Sequence, residues 1–380
     1  MRVAVLNRTF SKSGGGAERY AVAIAAALAQ RHELHVFSQE TDRPVPGVTY
    51  HRIACISQKP RWLNQWLFAC LTWWKTRSGF DVVHSHENTW HGQVQTIHVR
   101  TVRHSLFNGQ GSFGKLLRGL KVFASPRLQT YLLLEWLRFR NSPARHIVAA
   151  SDMLKEECQL SFPGRTQTHW STIAPGTELP GVGPSAAEAR QQLGLPASVP
   201  LILFVANDYA RKGLDTLLAA LGRLDASVNL AVAGHTGQLE RYQRLASEVG
   251  VSQRVHFLGS LPDLTPAFFA ADVLAHPTLE DSYGMVVLEA MAHQLPVVVS
   301  NADFCGISHE LTTHHNAVLL ADPRDPQALA EALQAILCAD PTALRRLKDE
   351  SFEFAAQHSW QAAALRYEAL YQRVATHESL

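Results

Sequence analysis

The shortages in this sequence narrow its class. Cysteine is scarce: Cys55, Cys70, Cys158, Cys305 and Cys338 are scattered, odd in number and never paired as CxxC. That argues against a disulfide scaffold or a structural zinc site and fits a reducing cytosol. Charge of one sign is also lacking, with Lys+Arg 35 against Asp+Glu 33 and a net charge of +2, so no global field points to nucleic acid. No uncharged apolar run reaches the ~18 residues needed to span a bilayer. Met1-Arg2-Val3 runs straight into an apolar strand, without a signal-peptide pattern. At 380 residues, 46% hydrophobic and 18% charged, the chain is too long for one ordinary core and too apolar for disorder. The expectation is a cytoplasmic enzyme of two globular domains.

Short apolar runs alternate with amphipathic stretches, the pattern of parallel sheets covered by helices. Val3–Leu6, Leu34–Phe37, residues 81–84 and Ile147–Ala150 read as strands of a first set, with a helix over Ala17–Gln30. A second set begins near Pro200: strands at Leu201–Ala206, Leu230–Ala233, Val255–Leu258, Val273–His276 and Val297–Ser300, and a helix at Leu214–Leu221. Between the sets, Pro175-Gly176 and Pro180-Gly181-Val182-Gly183-Pro184 read as a linker.

Local charge says more than the total. Val99–Arg145 carries nine basic residues, among them Arg100, Arg103, Lys115 and Arg118, against the single acid Glu135. Leu106, Phe107, Phe113, Leu116, Leu117 and Phe123 are interleaved with them. Such a surface suits anionic headgroups or phosphorylated glycans. The segment Trp62–Trp74 holds four of the eight tryptophans. Lying ahead of a strand, it reads as a core-packing helix rather than an interfacial anchor.

Three motifs carry chemistry. Ser13-Gly14-Gly15-Gly16 follows the first strand and opens a helix, so a ligand can approach closely and an anion can meet helical N–H groups. It is neither GxGxxG nor a P-loop. Asn207-Asp208-Tyr209-Ala210-Arg211-Lys212-Gly213 follows the first strand of the second set, at the sheet edge where open α/β folds bind ligands. There Arg211 and Lys212 can neutralise a pyrophosphate. In Asp281-Ser282-Tyr283-Gly284-Met285-Val286-Val287-Leu288-Glu289, two acids flank a glycine and the start of an apolar helix. Backbone N–H groups around Gly284, Met285 and Val286 can meet sugar or phosphate oxygens, and Glu289 can hold ribose hydroxyls. His84, His86, His91 and His98 match no common zinc spacing, and Cys305 reads as a turn residue rather than a nucleophile.

In this order the motifs resemble those of retaining glycosyltransferases of the GT-B type, in glycosyltransferase family 4. Further matches are Thr96-Ile97-His98, Ala150-Ser151-Asp152, Ala233-Gly234-His235 and His358-Ser359-Trp360. The family's E-x7-E motif falls on Asp281 and Glu289, with Asp where the family has Glu and Glu280 beside it. The resemblance implies an α/β fold of two Rossmann-like domains with parallel sheets facing across a cleft. One would cover 1–172, acceptor-side, with helix 360–380 packing back onto it; the other, 173–359, would bind the nucleotide-sugar.

By residue, the resemblance places Arg211 and Lys212 on the diphosphate, Glu289 on the ribose, Asp281 against the transferred sugar, and Gly15 and Gly16 along the diphosphate. It makes His98 a catalytic residue in the cleft. No Asp-x-Asp occurs in the chain, so no metal or other cofactor is expected, and family resemblance favours same-face attack. The Asn-Asp-x-x-Arg-Lys-Gly turn and the Gly-Met-Val-Val-Leu-Glu-Ala segment are similar to those of lipopolysaccharide core glucosyltransferases. That favours UDP-glucose as donor, a lipid-linked or phosphorylated glycan as acceptor, and peripheral attachment to an anionic membrane surface. Transfer to exopolysaccharide or O-antigen units, and a sugar-nucleotide epimerase or hydrolase, are the alternatives.

Overall fold

The computed structural model describes residues 1–377 except 12–14, 43, 57–58 and 236. The chain divides into two units: Met1–Gly176 together with Trp360–Leu380, and Thr177–Ser359.

The first unit contains strands β1 (Arg2–Leu6), β2 (Thr9–Phe10), β3 (Glu33–Ser38), β4 (Glu40–Thr41), β5 (Val48–Arg52), β6 (Val82–Ser85), β7 (Val94–Ile97), β8 (His146–Ala149) and β9 (His169–Thr172). Its helices are α1 (Gly16–Leu28), α2 (Arg61–Thr76), α3 (Val102–Phe107), α4 (Ser112–Phe123), α5 (Pro126–Arg138), α6 (Asp152–Ser161) and the C-terminal helix (Trp360–His377). Seven strands form one parallel sheet in the order β5-β3-β1-β6-β7-β8-β9. Side chains alternate across it: Ala4, Leu6 and Val83 join Phe68 of α2 in one cluster, while His84 turns the other way, to the C-terminal helix.

That second face is tied by a hydrogen-bond line whose direction can be deduced. The Ile173 carbonyl can only accept, so the Tyr20 hydroxyl donates to it at 3.0 Å. Each hydroxyl has one proton. Tyr367 therefore donates to Tyr20 at 2.9 Å, Thr96 to Tyr367 at 2.8 Å, and His84 Nε2–H to Thr96 at 2.7 Å. His84 Nδ1 is then bare and accepts from Tyr371 at 2.6 Å. All of these side chains are buried, so α1, the sheet and the C-terminal helix are joined by a fully satisfied polar line.

Helix α2 overturns the expectation for the tryptophans. Its buried residues are Asn64, Gln65, Phe68, Ala69, Thr72 and Thr76, whereas Trp73 and Trp74 are 46% and 59% exposed. The inward polar groups are satisfied: Thr72 and Thr76 donate to carbonyls one turn back, and Gln65 accepts from Arg8 and donates to Asn88. The two indoles take the open face.

The second unit contains β10 (Leu201–Val205), β11 (Asn229–Ala233), β12 (Val255–Gly259), β13 (Val273–His276), β14 (Val297–Ser300) and β15 (Val318–Leu320). Its helices are α7 (Ala186–Leu193), α8 (Leu214–Leu221), α9 (Leu239–Glu248), α10 (Thr265–Ala270), α11 (Met285–Ala292), α12 (Pro326–Leu337) and α13 (Pro341–Gln357). The sheet is parallel, in the order β12-β11-β10-β13-β14-β15. Ile202, Phe204, Leu230, Val232, Val273 and Ala275 meet Leu217, Leu221, Leu329 and Leu333 in an aliphatic core. The strand order reverses between β10 and β13, and between β1 and β6 in the first unit. The carboxyl ends of such strand pairs are where open α/β sheets present ligand-binding loops. No helix among the described residues is long and apolar enough to cross a membrane.

Candidate active site

In the second unit, both motif loops leave the sheet at its switch point. The loop after β10 carries Arg211 and Lys212 and ends in Gly213, whose positive φ of 81° and close approach to the Pro277 carbonyl leave no space for a Cβ. The loop after β13 carries Asp281 and ends in Gly284, φ 100°, which caps α11. Leu279 N–H donates to the Arg211 carbonyl at 2.8 Å and fastens one loop to the other.

These loops place Lys212 Nζ 2.5 Å from Asp281 Oδ2 and 3.1 Å from the Glu280 carbonyl. Buried His276, at the end of β13, donates from Nε2 to the same Asp281 oxygen at 3.0 Å. Asp281 Oδ1 accepts from Tyr283 N–H at 3.3 Å. Burial acts to raise the Asp281 pKa, but Lys212 and His276 outweigh it and hold the carboxyl well below the usual carboxylate range. His276 is itself shifted down by burial, with the Asp281 carboxylate opposing that shift.

Arg211 is exposed and lies 3.4 Å from Asp208. Met285, Val286 and Glu289 are half-buried on α11, whose first N–H groups have no acceptor within the helix. A depression of about 450 Å³ adjoins the Arg-Lys loop, lined by Asn207, Asp208, Tyr209, Ala210, Gly237 and Gln238. Gly237 and Gln238 escaped sequence reasoning. The signal that could have found them is Gly234 in the same loop, whose φ of 113° and contact with the Ala206 carbonyl demand glycine.

His276, Asp281 and Cys305 are also the one group among the described residues with metal-ligand spacing, their ligand atoms lying within 4.8 Å of one another. The donor set fits an ion poorly. Lys212 already sits on the Asp281 oxygen, and burial pushes the Cys305 thiol far up, away from the thiolate a metal needs.

The first unit holds the remaining candidates. Gly15 is the N-cap of α1 and Gly16 its first residue, both exposed; Ser13 and Gly14 lie outside the described residues. His98 follows β7. Its Nε2 is 2.9 Å from His86 Nδ1, the ring planes are within 8° of parallel with centres 5.1 Å apart, and Tyr20 meets His98 edge-on at 4.8 Å. Burial, reinforced by the nearby Arg138 guanidinium, pushes His98 down to about 3, so it is neutral at physiological pH.

The basic stretch divides in a way its sequence conceals. Arg138 is buried and donates to Gln95, Asn88 and the Thr96 carbonyl. Arg145 donates to the Leu137, Arg138 and Trp90 carbonyls. Arg100 forms a two-pronged pair with Glu157, at 2.5 and 2.8 Å. These three are held by partners within the first unit, Arg100 by a carboxylate.

Arg103 is exposed, its guanidinium 5.7 Å from the Phe162 ring centre. Helix α4 has no buried residue. Phe113, Leu116, Leu117, Leu120 and Phe123 share one helical face and are 51% to 83% exposed, while Lys115, Arg118 and Lys121 fall on the other.

Residues 185–352 match the family described as Glycosyl transferases group 1, and residues 14–176 match Glycosyltransferase Family 4. The chain belongs to these GT-B glycosyltransferases. The D-inositol 3-phosphate glycosyltransferase of Corynebacterium efficiens is 31% identical over 223 residues, covering 55% of this chain and 52% of the relative. Lipopolysaccharide glucosyltransferase WaaG of Escherichia coli is 28% identical over 232 residues, covering 59% and 61%. The chain thus spans about half the length of the first of these relatives and three-fifths of the second. Among solved structures, WaaG superposes with a TM-score of 0.79 at 21% identity, over 97% of this chain and 99% of that one. Anabaena HepE in complex with UDP-glucose gives 0.73 at 19% identity, over the whole of both chains. At these identities the likeness concerns the fold: two Rossmann-like domains with parallel sheets, as the glycosyltransferase motifs implied.

Proposed function

We propose that this glycosyltransferase moves glucose from UDP-glucose, with retention and without a metal, onto an anionic, lipid-linked surface glycan of the lipopolysaccharide-core kind. Lys212 and Arg211 take the donor diphosphate, and Glu289 takes the ribose. The N–H groups at Gly284, Met285 and Val286 take donor oxygens. Gly15 and Gly16 border the diphosphate, Asp281 serves the sugar side, and His98 acts as the catalytic histidine. Breaking the sugar–phosphate bond leaves growing negative charge on the leaving diphosphate. Fixed cations and helical N–H groups stabilise that charge where it develops. In keeping with the family resemblance, we take the attack to come on the same face, assisted by the leaving phosphate.

The observation that carries the acceptor assignment is α4. Its apolar face is turned to solvent with lysine and arginine opposite, as suits a helix lying in an anionic lipid interface. Arg103, Lys115 and Arg118 would draw a phosphorylated acceptor to that surface. The relatives named D-inositol 3-phosphate glycosyltransferases support a second reading, a small phosphorylated alcohol as acceptor.

One experiment separates them: transfer from radiolabelled UDP-glucose and GDP-mannose to lipopolysaccharide core in anionic vesicles, against transfer to inositol phosphate in solution. UDP-glucose-dependent labelling of the vesicle acceptor is expected. Labelling of inositol phosphate alone would replace the lipid-linked acceptor, and use of GDP-mannose alone would replace the donor.

A further inference from the structure

The histidine assigned to catalysis does not stand by itself. His86 and His98 follow the adjacent parallel strands β6 and β7, and Nδ1 of one lies 2.9 Å from Nε2 of the other. A bond between two ring nitrogens needs one proton and only one. Two protons repel, and none leaves two lone pairs facing each other. The two imidazoles must therefore adopt complementary tautomers.

The surroundings hold them there. Tyr20 of α1 braces the His98 ring edge-on, and His84 packs against His86 at 4.2 Å. His84 is itself fixed as the Nε2–H tautomer by the hydroxyl line that runs through Thr96 and Tyr367. The Arg138 guanidinium, held by Gln95, Asn88 and the Thr96 carbonyl, contributes a positive charge that opposes a further proton on either ring.

We propose that His86 is the positioning residue for His98: it engages Nε2 of His98 in a single-proton bond and so leaves Nδ1 as the ring atom offered to the substrate. His98 then works as an oriented, neutral hydrogen-bonding group rather than as a cationic acid. Burial and the charged groups around the pair act in the same sense: Arg138 from α5 on both rings, and His84 from β6 on His86.

The inference rests on the glycosyltransferase role given to His98, and its test has one arm that does not. In imidazole-15N-labelled protein, the His98 signals, assigned with His98→Gln, should show a single tautomer that does not titrate between pH 5 and 8. His86→Leu should release a mixture of tautomers. His86→Asn, whose amide can stand in for Nδ1, should restore a single one.

In the transfer assay, His86→Leu should lower kcat at least tenfold with donor KM nearly unchanged, and His86→Asn should recover most of the loss. A titrating or mixed His98 in the parent protein would overturn the proposal, as would unaltered His98 signals and kcat in His86→Leu. Failure of transfer with every donor would sink the functional reading and leave the spectroscopic arm to decide the coupling.

Discussion

The two units share a parallel scheme but are filled differently. The second packs aliphatic strands against aliphatic helices, with Ile202, Phe204, Leu230 and Val232 meeting Leu217, Leu221 and Leu333. Polar side chains are buried in both, Arg190, His276, Tyr209 and Tyr242 among them in the second, but in the first His84, Thr96, Tyr20, Tyr367 and Tyr371 are linked in one continuous hydrogen-bond line, with Arg138 buried as well. Area-driven burial is non-directional and tolerant. A polar interior has direction and a proton count, and it is stable only while each partner keeps the protonation state the others require.

That contrast breaks most visibly in acid. His84, His91 and His98 are each held near 3 by burial, whereas in the unfolded chain they titrate near ~6.5. Below that value the unfolded state takes up protons that the folded state refuses, so stability falls as pH drops from about 6.5 towards 3. At pH 5 each of the three contributes a loss of roughly 2 kcal/mol. In the second unit buried His276 is shifted the same way, with the Asp281 carboxylate opposing it, and Asp281 itself acts in the same direction but in a lower pH window. Its depressed pKa adds stability above the unfolded carboxylate range, and that contribution is lost only in strong acid.

All eight tryptophans lie in the first unit, so their emission follows that unit alone. Between pH 7 and 5 the thermal transition seen by tryptophan should drop far below a second transition seen by far-UV circular dichroism. Coincident transitions at every pH would abolish the contrast.

A smaller effect is confined to the second unit. Lys212→Ala removes the cation nearest Asp281 and should lower kcat/KM for the nucleotide-sugar about 100-fold, raising KM and lowering kcat together. Unchanged kinetics would remove Lys212 from the phosphate site. Smaller again is Gly284→Ala. A Cβ at φ 100° would stand 2.8 Å from Cys305 Sγ, so the circular-dichroism transition should lose about 1–3 kcal/mol while the tryptophan transition stays in place.

The smallest effect on stability falls on the first unit's outer helix. Phe113→Ser with Phe123→Ser should change unfolding by no more than ~0.5 kcal/mol, because neither ring is buried. Co-sedimentation with anionic vesicles should fall several-fold, and a variant that sediments undiminished would separate α4 from the membrane.

Legibility in the sequence followed the same division. Val273–His276, Val297–Ser300 and Leu214–Leu221 could be read to the residue because the aliphatic runs of the second unit are buried on both faces. Edge strands β5 and β9 escaped because half-buried residues such as Tyr50, His51 and Ser171 carry no apolar run. In the last turns of α2 the usual rule inverts, with Thr72 and Thr76 inward and the Trp73 and Trp74 indoles outward.

The motif loops were legible as motifs, since Lys212, Gly213, Asp281 and Gly284 are close in sequence to the strands that position them. The bond from Lys212 to Asp281 was not, because it joins residues from separate loops. The burial of Arg138 was equally hidden: a charge in an exposed helix and a charge anchored by three acceptors look alike in one dimension.

The hydroxyl line from Tyr371 to Ile173 has a grammar that burial figures do not express. Every member hands its single proton one place along, so the damage done by deleting a hydroxyl depends on where in the line it stands. Tyr371→Phe removes the opening donor and strands only the His84 lone pair. Tyr367→Phe falls in the middle, leaving the Thr96 proton without an acceptor and Tyr20 without its incoming donor. Two equally buried tyrosines, one turn apart on one helix, thus occupy different ranks in a queue that runs one way.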